Sequence, residues 1–175
     1  MLLDSNHLGC RRGFVSIGRL ETGDRKAVRE VFDGLSERSR RLRFHGPKPR
    51  LLERDLDELV QVGCCGREAV AAVDLVSGEI VGIARFVRSE SDPRSAEVAF
   101  EVVDRCQGSG VGRRLLDELR SVALDEGIAR FSASVVPGNE SALALLRGAG
   151  RVVESTYVEG AYELVVELEP LPQAA

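Results

Sequence analysis

Residues 95–127 constrain the fold more than any other part of this chain. SAEVAFEVV (95–103) alternates along its length, putting Val98, Phe100 and Val102 on one face and Glu97, Ala99 and Glu101 on the other, which is a strand pattern. CQGSGVGRRLL (106–116) follows, with Gly108, Gly110 and Gly112 at every second position. From Val111 a stripe of Leu115, Leu119 and Val122, flanked by Leu116 and Ala123, repeats at helical spacing, and Gly127 ends it. A strand, a glycine turn and an amphipathic helix in succession must fold back so that the helix covers the sheet.

The turn carries chemistry as well as geometry. A glycine loop that opens a helix presents unpaired backbone N–H groups at the positive end of the helix dipole, a combination suited to phosphates. One or two glycines are explained by the turn alone; three at one junction favour an anion site. The Walker pattern fails, because Gly112 is followed by Arg113-Arg114, and GxGxG is not the dinucleotide GxGxxG.

The remaining elements build one α+β domain. FVSIGRL (14–20) reads as a strand, Asp24 as the cap of a helix reaching Leu35, and LLERDLDELVQV (51–62) as a second helix. Two strands, AVAAVDLV (69–76) and EIVGIARFV (79–87), form a hairpin about Ser77-Gly78. After the glycine helix come a strand at 129–136, a helix capped by Asn139, and a closing strand pair about Glu159-Gly160. The expectation is a mixed, mostly antiparallel sheet of about seven strands flanked by about four helices, with a loose leader at 1–12, the domain at 13–169 and a tail at 170–175.

Composition narrows the function classes. The chain has 175 residues, 43% hydrophobic and 30% charged, with a net charge of −4 and no Trp, which argues against a nucleic-acid footprint. No apolar run spans a bilayer and no secretory signal is visible, so a cytoplasmic protein without membrane contact is expected. His7, His45 and the cysteines Cys10, Cys64, Cys65 and Cys106 show no metal-ligand spacing. Four reduced thiols are expected, with Cys106 the more exposed and reactive one beside the loop. Arg38, Arg40, Arg41, Arg43, Lys48 and Arg50 crowd the segment 36–50. It reads as a solvated helix face, a contact to a phosphate, or a contact to an acidic protein surface.

QGSGVG (107–112) matches Q/R-x-x-G-x-G/A, and with the element order it resembles the GNAT acyltransferase superfamily. The resemblance implies acetyl-CoA as cosubstrate and no metal. Its pyrophosphate would lie on Gln107, Gly108, Ser109, Gly110, Val111, Gly112 and Arg113. Backbone N–H groups near Val102 and Val103 would polarise the thioester. Asn139, with Ala142 after it, resembles the family's N-x-x-A motif, implying a contact to the pantetheine arm. LSERSRRLRFHGPKPRL (35–51), GEIVGIARFVRSESDPRSAEVAFEV (78–102) and QGSGVG are similar to the catalytic domain of bacterial Pat-type protein lysine acetyltransferases. By that similarity Glu97 is the general base and the acceptor is a protein lysine, with an acyl-CoA synthetase as a candidate protein. Many such enzymes carry a second, regulatory domain, for which this chain has no room.

Glu97 and Glu101 lie about 13 Å apart along one strand face at ~3.3 Å per residue, too far to act as one dyad. Many GNAT enzymes place a tyrosine acid seven residues after the asparagine; Leu146 stands there, as in Pat-like relatives. Other acceptors remain open: a small amine such as an amino acid, polyamine or antibiotic, or none at all in an acyl-CoA-binding sensor. A monomer and a homodimer are equally compatible with the sequence.

Overall fold

The computed structural model describes residues 14–170. The expected leader at 1–12 and all but the first residue of the expected tail lie outside the described residues. Seven strands form one sheet in the order β1-β2-β3-β4-β5-β7-β6. They are β1 (Val15–Arg19), β2 (Arg67–Asp74), β3 (Ile80–Arg88), β4 (Ser95–Val102), β5 (Arg130–Val135), β6 (Gly150–Val158) and β7 (Ala161–Leu168). Every pairing is antiparallel except β4 with β5. Five helices accompany the sheet: α1 (Arg25–Asp33), α2 (Glu37–Phe44), α3 (Glu53–Leu59), α4 (Val111–Asp125) and α5 (Glu140–Ala149). A single 3-10 turn at Asp104–Cys106 links β4 to the glycine loop.

The fifth helix, beyond the four expected, is α2, and it is the arginine-rich segment. It buries none of its residues, so it has no apolar stripe for periodicity to reveal. Local chemistry starts it instead: the Ser36 hydroxyl accepts from the Ser39 N–H, and Arg, Leu and Glu are good helix formers. Gly148 lies inside α5, where the Arg113 side chain crosses against it.

The helices cover the sheet from both sides. α1 packs on β3 from one face and α4 from the other, and α5 lies beside α4. The contacts of α4 follow from its stripe: Val111, Leu115, Leu116, Leu119, Val122 and Ala123 are all buried. Phe86 of β3 and Phe131 of β5 meet on the α4 side with ring centroids 6.2 Å apart. Gly112 and Gly82 serve this packing. A Cβ at Gly112 would lie 3.1 Å from Leu145 Cδ1 of α5, so the third glycine of the loop motif lets two helices approach.

The feature that shapes the site is the short β4–β5 pairing. Only Ser95, Ala96 and Glu97 pair, with Arg130, Phe131 and Ser132. Beyond Glu97 the two parallel strands run on without pairing and leave a slot that opens toward their C-terminal ends. The glycine loop follows the end of β4, and Asn139 follows the end of β5, so both reach the mouth of the slot.

Gly82→Val tests the packing. Its Cβ would stand 2.8 Å from Leu115 Cδ1 and 3.0 Å from the Glu101 carbonyl oxygen. We expect a loss of about 1–3 kcal/mol, the scale of overpacking, read as a lower urea midpoint with an unchanged slope.

Candidate active site

The glycine loop is held in shape by its own short bonds. The Ser109 hydroxyl donates to the Cys106 carbonyl at 2.5 Å, and Gln107 Nε2 donates to the Val102 carbonyl at 3.0 Å. Gly108 and Gly110 have φ of +72° and +89°, in the left-handed region that a side chain disfavours. Gly110 is the N-cap of α4, so the first-turn N–H groups of that helix point out of the loop with no intrahelical acceptor. They open on a cleft of about 400 Å³, bordered by Gln107, Gly108, Gly110, Gly112 and Arg113 and, across it, by Arg38, Leu42 and Arg43 of α2.

The other expected cofactor residues divide by geometry. The Val103 N–H donates to the Val81 carbonyl of β3 at 2.9 Å. Antiparallel ladders alternate, so the amide of Val102, one residue earlier, faces away from β3 and into the slot. Val102 is therefore the one of the two whose N–H is available to a ligand. Asn139 caps α5, its Oδ1 accepting from the Ala142 N–H at 3.3 Å, and it borders both the cleft and the hollow in the slot. Arg113 turns along its helix to Asp117, Nε to Oδ2 at 3.1 Å. Cys106, expected to be an exposed reduced thiol, is buried in the core by the 3-10 turn and is disulfide-bonded; Cys64 and Cys65 are the free thiols among the described residues.

Two further hollows of about 350 Å³ flank Glu97: one lies against β2, β3 and α3, and the other lies in the slot between β4 and β5, where it shares Leu42, Phe100 and Asn139 with the cleft. Glu97 borders both, and it does not border the cleft. It is exposed, stands at the last β4–β5 pair before the strands part, and makes no ion pair among the described residues. Glu101 has the opposite surroundings. It is buried, with Oε2 2.6 Å from Arg43 Nε and Oε1 2.9 Å from an Arg85 Nη. Burial alone would raise its pKa, but the Arg43 and Arg85 guanidiniums outweigh burial and hold it below the usual carboxylate value. Both oxygens of Glu101 are committed, so it is a fixed charge, whereas the Glu97 carboxylate has no ion-pair partner among the described residues.

Arg85 completes the cluster. Its Nη1 donates to the Leu59 carbonyl at the end of α3, 2.7 Å away. Sequence reading assigned no role to Arg85, Glu101 or Arg43 individually. The alternating pattern puts Glu101 on a polar face, and its partners lie 16 and 58 residues away.

α2 closes the site from above. The Ser36 N–H donates to Asp104 Oδ1 at 3.0 Å, Ser39 Oγ accepts from Gln107 Nε2 at 3.2 Å, and His45 Nε2 meets the Ser134 carbonyl of β5 at 3.2 Å. The helix therefore bridges the glycine loop, β4 and β5. Burial pushes the Asp104 pKa up, but the Ser36 and Ser39 bonds prevail and lower it. Among the described residues no group of three or more His, Cys, Asp or Glu is placed to hold a metal, and no helix is long and apolar enough to cross a membrane.

The Glu101 cluster carries a pH dependence of known sign. A carboxylate lowered by folding contributes stability above its unfolded-state value, here 4.5, and loses it as pH falls through the lower folded value. Glu101→Gln should cost about 3–5 kcal/mol at neutral pH by leaving two guanidiniums without their buried counter-charge. The gap to wild type should narrow at about pH 3, measured by denaturant unfolding at both pH values. An equal gap at both would show that the carboxylate charge is not what stabilises.

Comparison with known proteins matches this arrangement. The chain is 37% identical over 75 residues to the Acetyltransferase Pat of Mycolicibacterium smegmatis, a match covering 43% of this chain and 22% of that protein. The chain thus spans only about a fifth of the length of that curated relative. The crystal structure of the GNAT domain of S. lividans PAT superposes with a TM-score of 0.78 at 28% identity, covering 88% of this chain and 90% of that one. A GNAT phosphinothricin acetyltransferase from Sinorhizobium meliloti, solved in complex with acetyl-CoA, shares the fold with a TM-score of 0.73 at 16% identity, covering 89% of each chain. The acetyltransferase (GNAT) family model matches residues 33–150, which include α2, the slot, the glycine loop and α5, and the chain belongs to that family.

Proposed function

We propose that this enzyme moves the acetyl group of acetyl-CoA onto the side-chain amine of a protein lysine, with Glu97 as general base. The observation that carries the reading is the position of Glu97. It is an exposed carboxylate with no ion pair among the described residues, at the point where the sheet splits, bordering two hollows, one of which continues along the slot into the glycine cleft. An amine entering there meets the base first and the cleft beyond it. An exposed base also admits a residue carried on a protein loop, which a closed pocket would refuse. The likeness to Pat proteins supports the same acceptor.

The residues present fit acetyl-CoA. Gly108 and Gly110 let a pyrophosphate approach the free N–H groups of α4, whose dipole adds positive charge. Asn139 Nδ2 and the Val102 amide offer hydrogen bonds to an amide-bearing arm laid along the slot, while Leu42, Phe100 and Leu145 line it with apolar surface. Bound there, acetyl-CoA supplies the activated acyl group. Glu97 takes the proton of the attacking amine, directly or through one water, since an ammonium has no lone pair to attack with. The Val102 N–H polarises the carbonyl from the strand side.

Gly110→Val should abolish CoA binding in calorimetry, because a β-branched residue at φ +89° both strains the loop and blocks the approach. Unchanged affinity, or binding of NAD or ATP in place of CoA, would overturn the cofactor reading. Glu97→Gln should keep CoA binding and lower turnover by about 10²-fold or more, with the residual rate recovering at high pH. Damage from Glu101→Gln in turnover per folded molecule, with none from Glu97→Gln, would reverse the assignment. The acceptor is tested by incubating enzyme and acetyl-CoA with a deacetylated lysate and, separately, with a panel of free amines. Acetyl-lysine on a few discrete proteins supports the reading; turnover on small amines alone defeats it.

A further inference from the structure

The acyl transfer leaves one charge that the residues described so far do not meet. As the amine nitrogen bonds to the carbonyl carbon, the carbonyl π pair moves onto oxygen. When C=O re-forms, the C–S bond breaks and its electron pair leaves on sulfur. Glu97 accounts for the proton of the amine, and the Val102 amide for part of the charge on oxygen. The sulfur departs as a thiolate unless a nearby acid protonates it. The described lining of the cleft has no Tyr, His or Lys, Cys106 is disulfide-bonded, and Glu101 is held as a carboxylate; beside the hollows, His45 Nε2 is turned to the Ser134 carbonyl and Lys48 is paired with Asp55.

A fixed cation does stand there. Arg43 is the one described residue that borders the glycine cleft and both hollows beside Glu97. The thioester must sit at that junction to be held from one side and attacked from the other. The guanidinium is partly exposed, at 19% for the side chain. Its Nε is committed to Glu101 Oε2, and its two Nη groups make no hydrogen bond among the described residues. Arg85 and Arg43 share the single charge of Glu101, so Arg43 is only partly neutralised by it. Glu58 of α3 acts on Arg85, and among the described residues Arg43 makes no ion pair besides the one to Glu101. Arg38 and Arg113 border the cleft but not the hollows, and Arg113 is turned to Asp117.

We propose that Arg43 is a catalytic residue whose free Nη groups meet the negative charge passing from the carbonyl oxygen to the departing CoA sulfur. Glu101 holds the guanidinium by Nε so that the Nη edge faces the junction. No proton leaves Arg43, which stays protonated in proteins. The thiolate departs as such and takes its proton from water, while Glu97 returns the amine's proton to water. The role needs the planar fork of arginine, one edge for Glu101 and the other for sulfur, which an ammonium cannot supply.

The inference rests on acetyl-CoA as the cosubstrate but is independent of which acceptor is used; its titration needs none, and turnover is read with whichever protein or free amine the enzyme acetylates. CoA bound to the enzyme is titrated by the ultraviolet absorbance of its thiolate in the wild type, R43Q and R43K, beside free CoA. The bound thiol should titrate about 1–2 units below free CoA in the wild type, the effect of a cation within contact distance. R43Q should lose that shift while still binding CoA, and should lower kcat by about 10²-fold with little change in the KM for acetyl-CoA. R43K, which keeps Glu101 partnered and so carries the test if R43Q fails to fold, should retain less than half of the shift. A wild-type thiol that titrates with free CoA overturns the role of Arg43, as does R43K matching the wild type in both titration and turnover. Failure of the wild type to bind CoA in calorimetry is a separate result, which removes the cofactor reading and the proposal with it.

Discussion

A buried carboxylate between two guanidiniums holds the two halves of this site together. Glu101 alone would be costly at that depth, since an ion removed from water loses several kcal/mol of solvation. Arg43 and Arg85 offset that loss, and each brings a different element with it. Arg85 is fixed on β3 and reaches the end of α3 through the Leu59 carbonyl; Arg43 anchors α2, a helix that buries none of its own residues. Apolar packing reaches α2 where the Phe44 ring meets the Phe32 ring of α1 at 5.8 Å and Arg40 lies over the same Phe32 ring. The ion pair, the Ser39–Gln107 and Ser36–Asp104 bonds and the His45 contact place the rest. The wall that separates the cleft from the hollows is set more by polar geometry, which is directional, than by hydrophobic contact, which is not.

The split in the sheet supplies what the ion cluster frames. A strand inside a sheet spends its amides on both neighbours, so a ligand finds no backbone donor there. β4 spends one set on β3, and past Glu97 the other set has no strand to meet. The Val102 amide becomes available for the same reason that the slot exists. Loss of pairing at a sheet interior is normally a defect; here it exposes oriented donors that need no reorganisation when charge develops near them. Five residues of β4 beyond the last pair carry the whole of this arrangement, from Val98 to Val102.

Where the chain was readable, local pattern and tertiary role agreed. The strand at 95–103, the glycine turn and the stripe of Leu115, Leu119 and Val122 each satisfy one simple period, and the structure buries that stripe. The glycines were legible as a group but not singly: Gly110 serves the open helix end, whereas Gly112 makes room for Leu145. α2 was not legible as a core-facing element because its sequence has no apolar face to find. Glu101 could be placed on the face it shares with Glu97, yet nothing local distinguishes a carboxylate that meets Arg85 and Arg43 from one that meets water. Val102 and Val103 looked equivalent until the β3 ladder claimed the Val103 amide. In each case the missing information was a long-range partner, and such conflicts between local pattern and final environment gather at sites that do chemistry.

The two glutamates of one strand show how environment divides labour between identical side chains. A base must be able to give up its solvation and take a proton, so it needs spare lone pairs and no strong cation holding it ionised. Glu97 meets that condition, because the strand ends its pairing there and leaves the side chain at the surface. Four residues on, the same face turns under α2, and Glu101 finds both oxygens taken. Exchanging their surroundings would require the arginines to move four residues toward the paired end of β4, which would give Glu97 a fixed counter-charge and leave Glu101 without one. In the mechanism proposed above, the spacing along β4 keeps proton removal and charge stabilisation on opposite sides of the reacting carbonyl. A proton acceptor close to the departing sulfur would instead be repelled by the charge it was meant to help form.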